Sequence, residues 1–560
     1  IIDLATGANP INLTFTPSSA TGDTAHPALY VSQGTLSLGG NAFTIDNESG
    51  APLGVGTYTL ISQASGNVTD GGGYAVNVTG AGLAAAAAGS IQVSGGSVSL
   101  NVISYTAQNL VWQGGNNGNT WDAGSTVNWL DGASASVFNN SDDVTFNATG
   151  AANSPVNLSG TLAPGSVTVD TSGGDYTFAG SGTIVGPVTL TKTGGGTLTI
   201  QNANTYSGGT LVNGGTVQLG SENAAGVGDL TLASDGPLDL NTFSDLVGGL
   251  NGSGTVDSVA GGSPVLTIGN NDADGTFSGT IQNTTGTVAL TKTGNGLDTL
   301  SGSNSYAGPT IINAGTLRAA NASALGSNSD VTISAGILDL ASDVAVGSVS
   351  GSGVIANNSS AAPVTLTVQG AAATTFSGNI IDGSGGGALA VKILNGASLT
   401  FGGSANTFSG GTIVGSGSTF GIPNSPASVG GSLIASNTAT LALSGGSGTP
   451  GTPTNILTVD GASVSFTAGA LGKIWAAQFE GSANATNRIM NPMSFGGDSS
   501  FKNFNGVVSL EQVGDARFIN IPTGSYGGGD AATFAFVISG SIILTRDAAT
   551  VNLGAITGGD

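Results

Sequence analysis

Residues 188–219 read VTLTKTGGGTLTIQNANTYSGGTLVNGGTVQL: short Thr/Leu/Val/Ile alternations broken by Gly and Asn, in a phrase that returns twice. Residues 288–319 read VALTKTGNGLDTLSGSNSYAGPTIINAGTLRA, and residues 388–420, more worn, read ALAVKILNGASLTFGGSANTFSGGTIVGSGSTF. Three of the chain's five lysines, Lys192, Lys292 and Lys392, mark the phrases at one apparent register. Alternation with period two puts Leu, Val and Ile on one face and Thr, Ser and Gln on the other. Strands this short cannot form stable hairpins alone. Wound into a parallel coil, each pairs with the same position one turn away, which satisfies its backbone groups and joins the inward faces into one apolar column. The fold expected is all-β: a right-handed parallel β-helix, or β-solenoid, with coils of about 20–24 residues.

The repeat extends beyond the lysine phrase. Phe178-Ala-Gly, Phe277-Ser-Gly and Phe376-Ser-Gly recur at 99-residue intervals, and Pro264-Val-Leu-Thr-Ile returns as Pro363-Val-Thr-Leu-Thr-Val. Two good copies cover 188–287 and 288–387, and a degenerate third covers 388–470, each of about five coils. Asn213-Gly-Gly-Thr and Asn313-Ala-Gly-Thr supply residues that tolerate positive-φ corners. Tyr206, Tyr306 and Phe408 recur as an expected aromatic stack inside the coil. Less regular β modules are expected at both ends: 1–108 at the N terminus, 109–187 around Trp112, Trp121 and Trp129, and 471–560 as a cap or subunit-contact region.

Composition narrows the function. Glycine is abundant, at 97 of 560 residues, but Pro is only 17 and no triplet order exists, so collagen is excluded. A hydrophobic fraction of 39% argues against disorder, and charged residues are only 7%. Net charge is −23 and residues 1–191 contain no Lys or Arg, which excludes nucleic acid and anionic membrane surfaces as partners. No apolar run approaches the length of a membrane helix, so no membrane insertion is expected. The absence of cysteine fits export without disulfides.

From Gly194 to Leu219 the chain closely resembles the autotransporter-associated β-strand repeat. That resemblance is clear over about 188–320 and weaker to about 420. It implies a right-handed parallel β-helix displayed outside the cell or on a bacterial surface, as an adhesin or matrix component. The segment around Trp112–Phe146 resembles one that opens such repeats, and Gly34–Leu38, Gly56–Ile61 and Ile91–Leu100 resemble one that closes them. A closing module ahead of an opening one implies one period of a longer tandem protein, or a subunit that stacks end to end. The residues after the coils are too few for a membrane β-barrel, so self-secretion is not expected.

Candidate chemistry is sparse. Glycoside hydrolysis needs two carboxylates across a cleft, and Asp142/Asp143, Asp272/Asp274 and Asp498 qualify by type alone. Lysines that follow a repeat do not mark a unique lyase site. His26 is the sole histidine and is expected in an exposed loop. Asn270-Asn-Asp-Ala-Asp-Gly has oxygen ligands at alternate positions like the first half of a calcium loop, but position twelve is Ile281 instead of Glu. Thr-x-Thr pairs at Thr189/Thr191/Thr193, Thr197/Thr199 and Thr365/Thr367 raise ice binding, although outward Thr is ordinary on strands. Sequons occur at Asn67 and Asn77. No catalytic, cofactor or metal site is assigned. The expectation is a non-enzymatic extracellular rod, a filament subunit or stalk-adhesin. It would polymerise head to tail through apolar terminal strands such as Ile11–Phe15 and Phe534–Leu544. The alternatives are a glycan-binding adhesin using Trp112, Trp121 and Trp129, or a polysaccharide lyase or hydrolase. The three lysines are expected to project outward as rare cations on an acidic surface.

Overall fold

The computed structural model describes residues 10–421 apart from 40, 70–73, 75, 85–86, 327 and 404, together with strand backbone at 2–3 and in segments beyond 421. It divides into two compact units, 1–239 and 240–560. Among the described residues the only helical elements are the three-residue 3-10 turns Ala151–Asn153, Thr171–Gly173 and Asn270–Asp272. The chain is all-β, as expected, and both units are parallel β-solenoids.

The first unit contains two stacks. In 10–104, Ile11–Phe15, Phe43–Asn47 and Val76–Gly80 form one parallel ladder, and Leu29–Val31 pairs in parallel with Gly56–Gln63 on a second face. The chain then reverses. Ser97–Ser104 pairs antiparallel with Gly56–Gln63, and Ala87–Ser94 pairs antiparallel with Ser97–Ser104, which ends the parallel order on that face. Phe15, Phe43, Ile45, Tyr58, Leu60 and Leu100 fill this core. A second reversal starts the next stack: Asn109–Trp112 pairs antiparallel with Trp129–Asp131, and Trp129–Asp131 with Ser134–Ser136. From Asn109–Trp112 a parallel ladder runs through Asp143–Phe146, Ser166–Asp170, Thr189–Thr193, Thr210–Val212 and Leu230–Leu232.

Period-two patterning holds strand by strand. In Thr197–Ile200, Leu198 and Ile200 are buried while Thr197 and Thr199 are half-exposed. Register is strict because a one-residue slip would turn every inward side chain to solvent. Coil length varies between these strict registers: Val144 pairs with Val167, 23 residues on, whereas Leu190 pairs with Thr210, 20 residues on. The corners absorb the difference.

The second unit shows how the long repeat relates to the coil. Val265–Ile268, Ala289–Lys292, Thr310–Ile312 and Asp330–Ile333 stack on one face. Val344–Val346, Val364–Val368, Leu389–Ile393 and Thr412–Val414 stack on another. The second phrase therefore begins on a different face from the third. The super-repeat is not a whole number of coils, so its copies do not superpose down one side. Beyond Gly421 strand backbone continues in parallel pairing, ending with Val507–Gln512 against Thr533–Ile538 and Arg517–Asn520 against Ile542–Thr545.

Candidate functional site

The recurring phrase folds into a lock inside the coil. Lys192 is fully buried, at 0% exposure, in an inward position between Val169 and Val212 of the neighbouring coils. Its Nζ donates to the carbonyls of Thr193 (2.9 Å), Gly194 (3.0 Å) and Gly214 (2.8 Å), so all three ammonium hydrogens have acceptors. Burial pulls its pKa down to about 8, which leaves it charged at neutral pH. Lys292 occupies the same position between Ile268 and Ile312, also fully buried, and donates to the carbonyls of Thr293 and Gly294 (the latter at 3.0 Å).

The outward placement expected for these two lysines is therefore corrected. The ammonium turns inward because the tight Gly-rich corner leaves carbonyls that no strand partner satisfies. Only Lys392 lies on the outer face, half-buried. In the third copy it is Ile393, paired with Val414, that fills the register of Lys192 on Val212 and Lys292 on Ile312. The coil leading into the third phrase runs 25 residues from Val368 to its partner Ile393, against 24 from Ile268 to Lys292, so the even spacing of the three lysines conceals a one-residue slip from inside to outside.

Two further groups complete the lock. Tyr206 and Tyr306 are buried, and each hydroxyl meets the Thr hydroxyl four residues on: Thr210 at 2.6 Å and Thr310 at 2.7 Å. Thr210 in turn donates to the Ala225 carbonyl at 2.7 Å. Their recurrence reflects this polar handle, where a plain aromatic stack was expected. In the third copy Phe408 packs edge-on against Phe401 at 6.1 Å, and the buried hydroxyl of Thr412 has no partner.

The second group escaped the sequence argument. Asn204, Asn304 and Asn406 are buried, and each Oδ1 accepts the N–H of an isoleucine one coil back (Ile184, Ile281 and Ile380) at 2.8 Å. The Nδ2 groups of Asn204 and Asn304 donate to Ala224 (2.9 Å) and Ala324 (2.6 Å) one coil ahead. The signal was present as Asn two places before the aromatic in all three phrases.

The candidate carboxylates are spent on structure. Asp142 is fully buried and accepts from the N–H groups of Gln108 and Asn139, both at 2.8 Å, and from the Tyr105 hydroxyl; burial raises its pKa. Asp143 accepts from the Ser166 hydroxyl at 2.6 Å. Asp272 accepts the Asn295 N–H at 2.7 Å, a bond that lowers its pKa, and Asp274 accepts the Leu297 N–H at 2.6 Å. Both thereby tie one coil to the next. Among the described residues no three His, Cys, Asp or Glu side chains converge to hold a metal ion. Asp498 lies outside the described residues.

The tryptophans are equally committed. Trp112, Trp121 and Trp129 have 0% exposure and pack with Phe138, Phe146 and Phe178 at ring separations such as 5.0 Å for Trp112–Trp129 and 5.3 Å for Trp121–Phe146. Buried in this way, they present no stacking face to a sugar. His26 is exposed as expected, with Nδ1 3.0 Å from Asp23 Oδ1. The threonine rows are broken: Thr191 is followed on the next coil by Leu211, Thr199 by Gln218 and Thr367 by Lys392.

Comparison with known proteins places this lock. The passenger-associated-transport-repeat family matches residues 190–219, 290–319 and 395–418, the segments that carry it. The chain is also 40% identical over 158 residues to the adhesin BmaC autotransporter of Brucella suis biovar 1 (strain 1330). That match covers 27% of this chain and 4% of the adhesin, so the chain spans a small fraction of that relative's length. No solved structure matches the chain. Three copies of this repeat on parallel solenoid coils make the chain similar to autotransporter passengers, with an extracellular or cell-surface location.

Proposed function

We propose that the chain is a non-enzymatic stalk of a surface adhesin, a stiff spacer whose coils hold a binding face away from the cell. One observation carries this reading: the polar side chains that recur with the repeat, Lys192/Lys292, Asn204/Asn304/Asn406 and Tyr206/Tyr306, are all buried and hydrogen-bonded inside the coils. Such an arrangement resists bending and shear and presents no reactive group outward. The name of the Brucella relative, an adhesin, agrees with it. End-to-end association into filaments is the finer part of the proposal, because solenoid ends are templates for strand addition.

Negative-stain electron microscopy of the native surface material separates the two levels. Fibres with an axial repeat of one subunit support filament assembly; dispersed single rods remove it and leave the stalk. Adhesion is read independently, as binding of the purified chain to host-cell monolayers. Cleavage of an acidic polysaccharide, abolished by Asp272→Asn, would overturn the non-enzymatic reading.

A further inference from the structure

The second copy departs from the first at one inward position. Leu198, paired with Val217, becomes Asp298, paired with Leu317 and 1% exposed. Its Oδ2 lies 3.7 Å from Lys292 Nζ and has no hydrogen-bond partner, while Oδ1 takes a long bond from the Leu250 N–H at 3.4 Å. Glycines wall the pair. A Cβ on Gly269 would stand 2.7 Å from Nζ and 3.3 Å from Oδ2, one on Gly275 would stand 2.2 Å from Oδ1, and one on Gly315 would stand 2.8 Å from Nζ. No side chain can intervene.

Charge compensation alone does not explain Asp298. Lys192 is held in the same register without a core carboxylate, by three carbonyls. The third copy lacks both partners, with Ile393 and Leu399 buried instead. A buried carboxylate with one long hydrogen bond and one oxygen without any is costly in an apolar core.

We propose that Lys292 and Asp298 condense in the folded chain to form an intramolecular isopeptide bond. The ammonium passes one proton to the carboxylate, giving a neutral amine and a carboxylic acid. Nζ then adds to Cγ. A C–N bond forms, the C–OH bond breaks, and the hydroxyl leaves as water with a second proton from Nζ. No oxidant or other reactant is needed. Burial favours the neutral forms of both partners, lowering the pKa of Lys292 and raising that of Asp298 to about 6. The Thr293 and Gly294 carbonyls that accept from Nζ hold the amine beside the carboxyl. The product is a covalent staple across one corner of one coil.

Intact mass spectrometry of the folded full-length chain tests this. The expected mass is lower by one water molecule than that of the linear sequence, with trypsin failing to cut after Lys292 in the unfolded protein. Fragment spectra should lack backbone ions between 292 and 298. Lys292→Met and Asp298→Leu should each restore the full linear mass. A wild-type chain at its full linear mass overturns the proposal. So does a water loss that persists in Lys292→Met, which would report a succinimide at Asp298.

Discussion

At the scale of single residues, the buried lysine is the most informative feature. Lys192→Met would leave the carbonyls of Gly194 and Gly214 without this donor and that of Thr193 with only the Thr171 hydroxyl, and a loss of about 3 kcal/mol is expected in urea unfolding. Lys392→Met, on the outer face, should stay within about 0.5 kcal/mol of wild type. The lysine also gives a pH signature. Its pKa falls from 10.5 to about 8 in the fold, so the unfolded chain binds the extra proton between those values and stability rises with pH across that window. The rise should vanish in Lys192→Met, measured as the difference between the two unfolding curves. Gly215 is bound to the same device. It has a φ of 63°, and a Cβ there would lie 2.3 Å from the Gly196 oxygen and 2.6 Å from Lys192 Nζ. Gly417 has a φ of 72°, but a Cβ there would meet nothing within 4 Å. Gly417→Ala should cost about 1–2 kcal/mol for its backbone alone; Gly215→Ala should cost clearly more. In the opposite direction, Phe408→Tyr would supply the hydroxyl that Thr412 lacks and is expected to stabilise the third copy by about 1 kcal/mol in thermal unfolding.

At the scale of the element, the coil is held by bonds that cross between turns. Asn204 joins Ile184, one coil back, to Ala224, one coil ahead, so Asn204→Ala should unpair one buried N–H and one buried carbonyl together. Faster hydrogen exchange in peptides covering both neighbours, by about tenfold or more, is the expected reading. Exchange unchanged outside the mutated coil would show that the amide serves only its own turn. The strands were legible from period-two alternation, and Thr197–Ile200 and Thr216–Leu219 lie where the pattern puts them. The lock was legible only in part. An Asn among many Asn residues looks like a turn former, because sequence alone does not say which amide points inward. The lysine was misread for a related reason: a charged residue in an alternating strand is assigned to solvent unless the corner carbonyls beneath it are known.

At the scale of the whole molecule, the first unit joins the end of one stack to the start of another through a short segment at 105–108. Asp142 holds that segment by two hydrogen bonds, from the Tyr105 hydroxyl and the Gln108 N–H, and is itself fixed by a third from the Asn139 N–H. Asp142→Ala should release it and create a protease-sensitive site there, seen as two large fragments in limited proteolysis with the coils themselves intact. The aromatic cluster of Trp112, Trp121 and Trp129 belongs to the same opening module and forms its core.

The sequence by itself determined the class of fold and the copies of the repeat, because short-range alternation and glycine corners are local properties. Tertiary structure decided which face each repeated side chain occupies. One extra residue in the coil leading into the third phrase moves Lys392 outward and Ile393 inward, and a super-repeat that is not a whole number of coils places Ala289–Lys292 and Leu389–Ile393 on different faces. Inward and outward are set by where each corner ends, and that depends on how the chain closes on the coil beneath it.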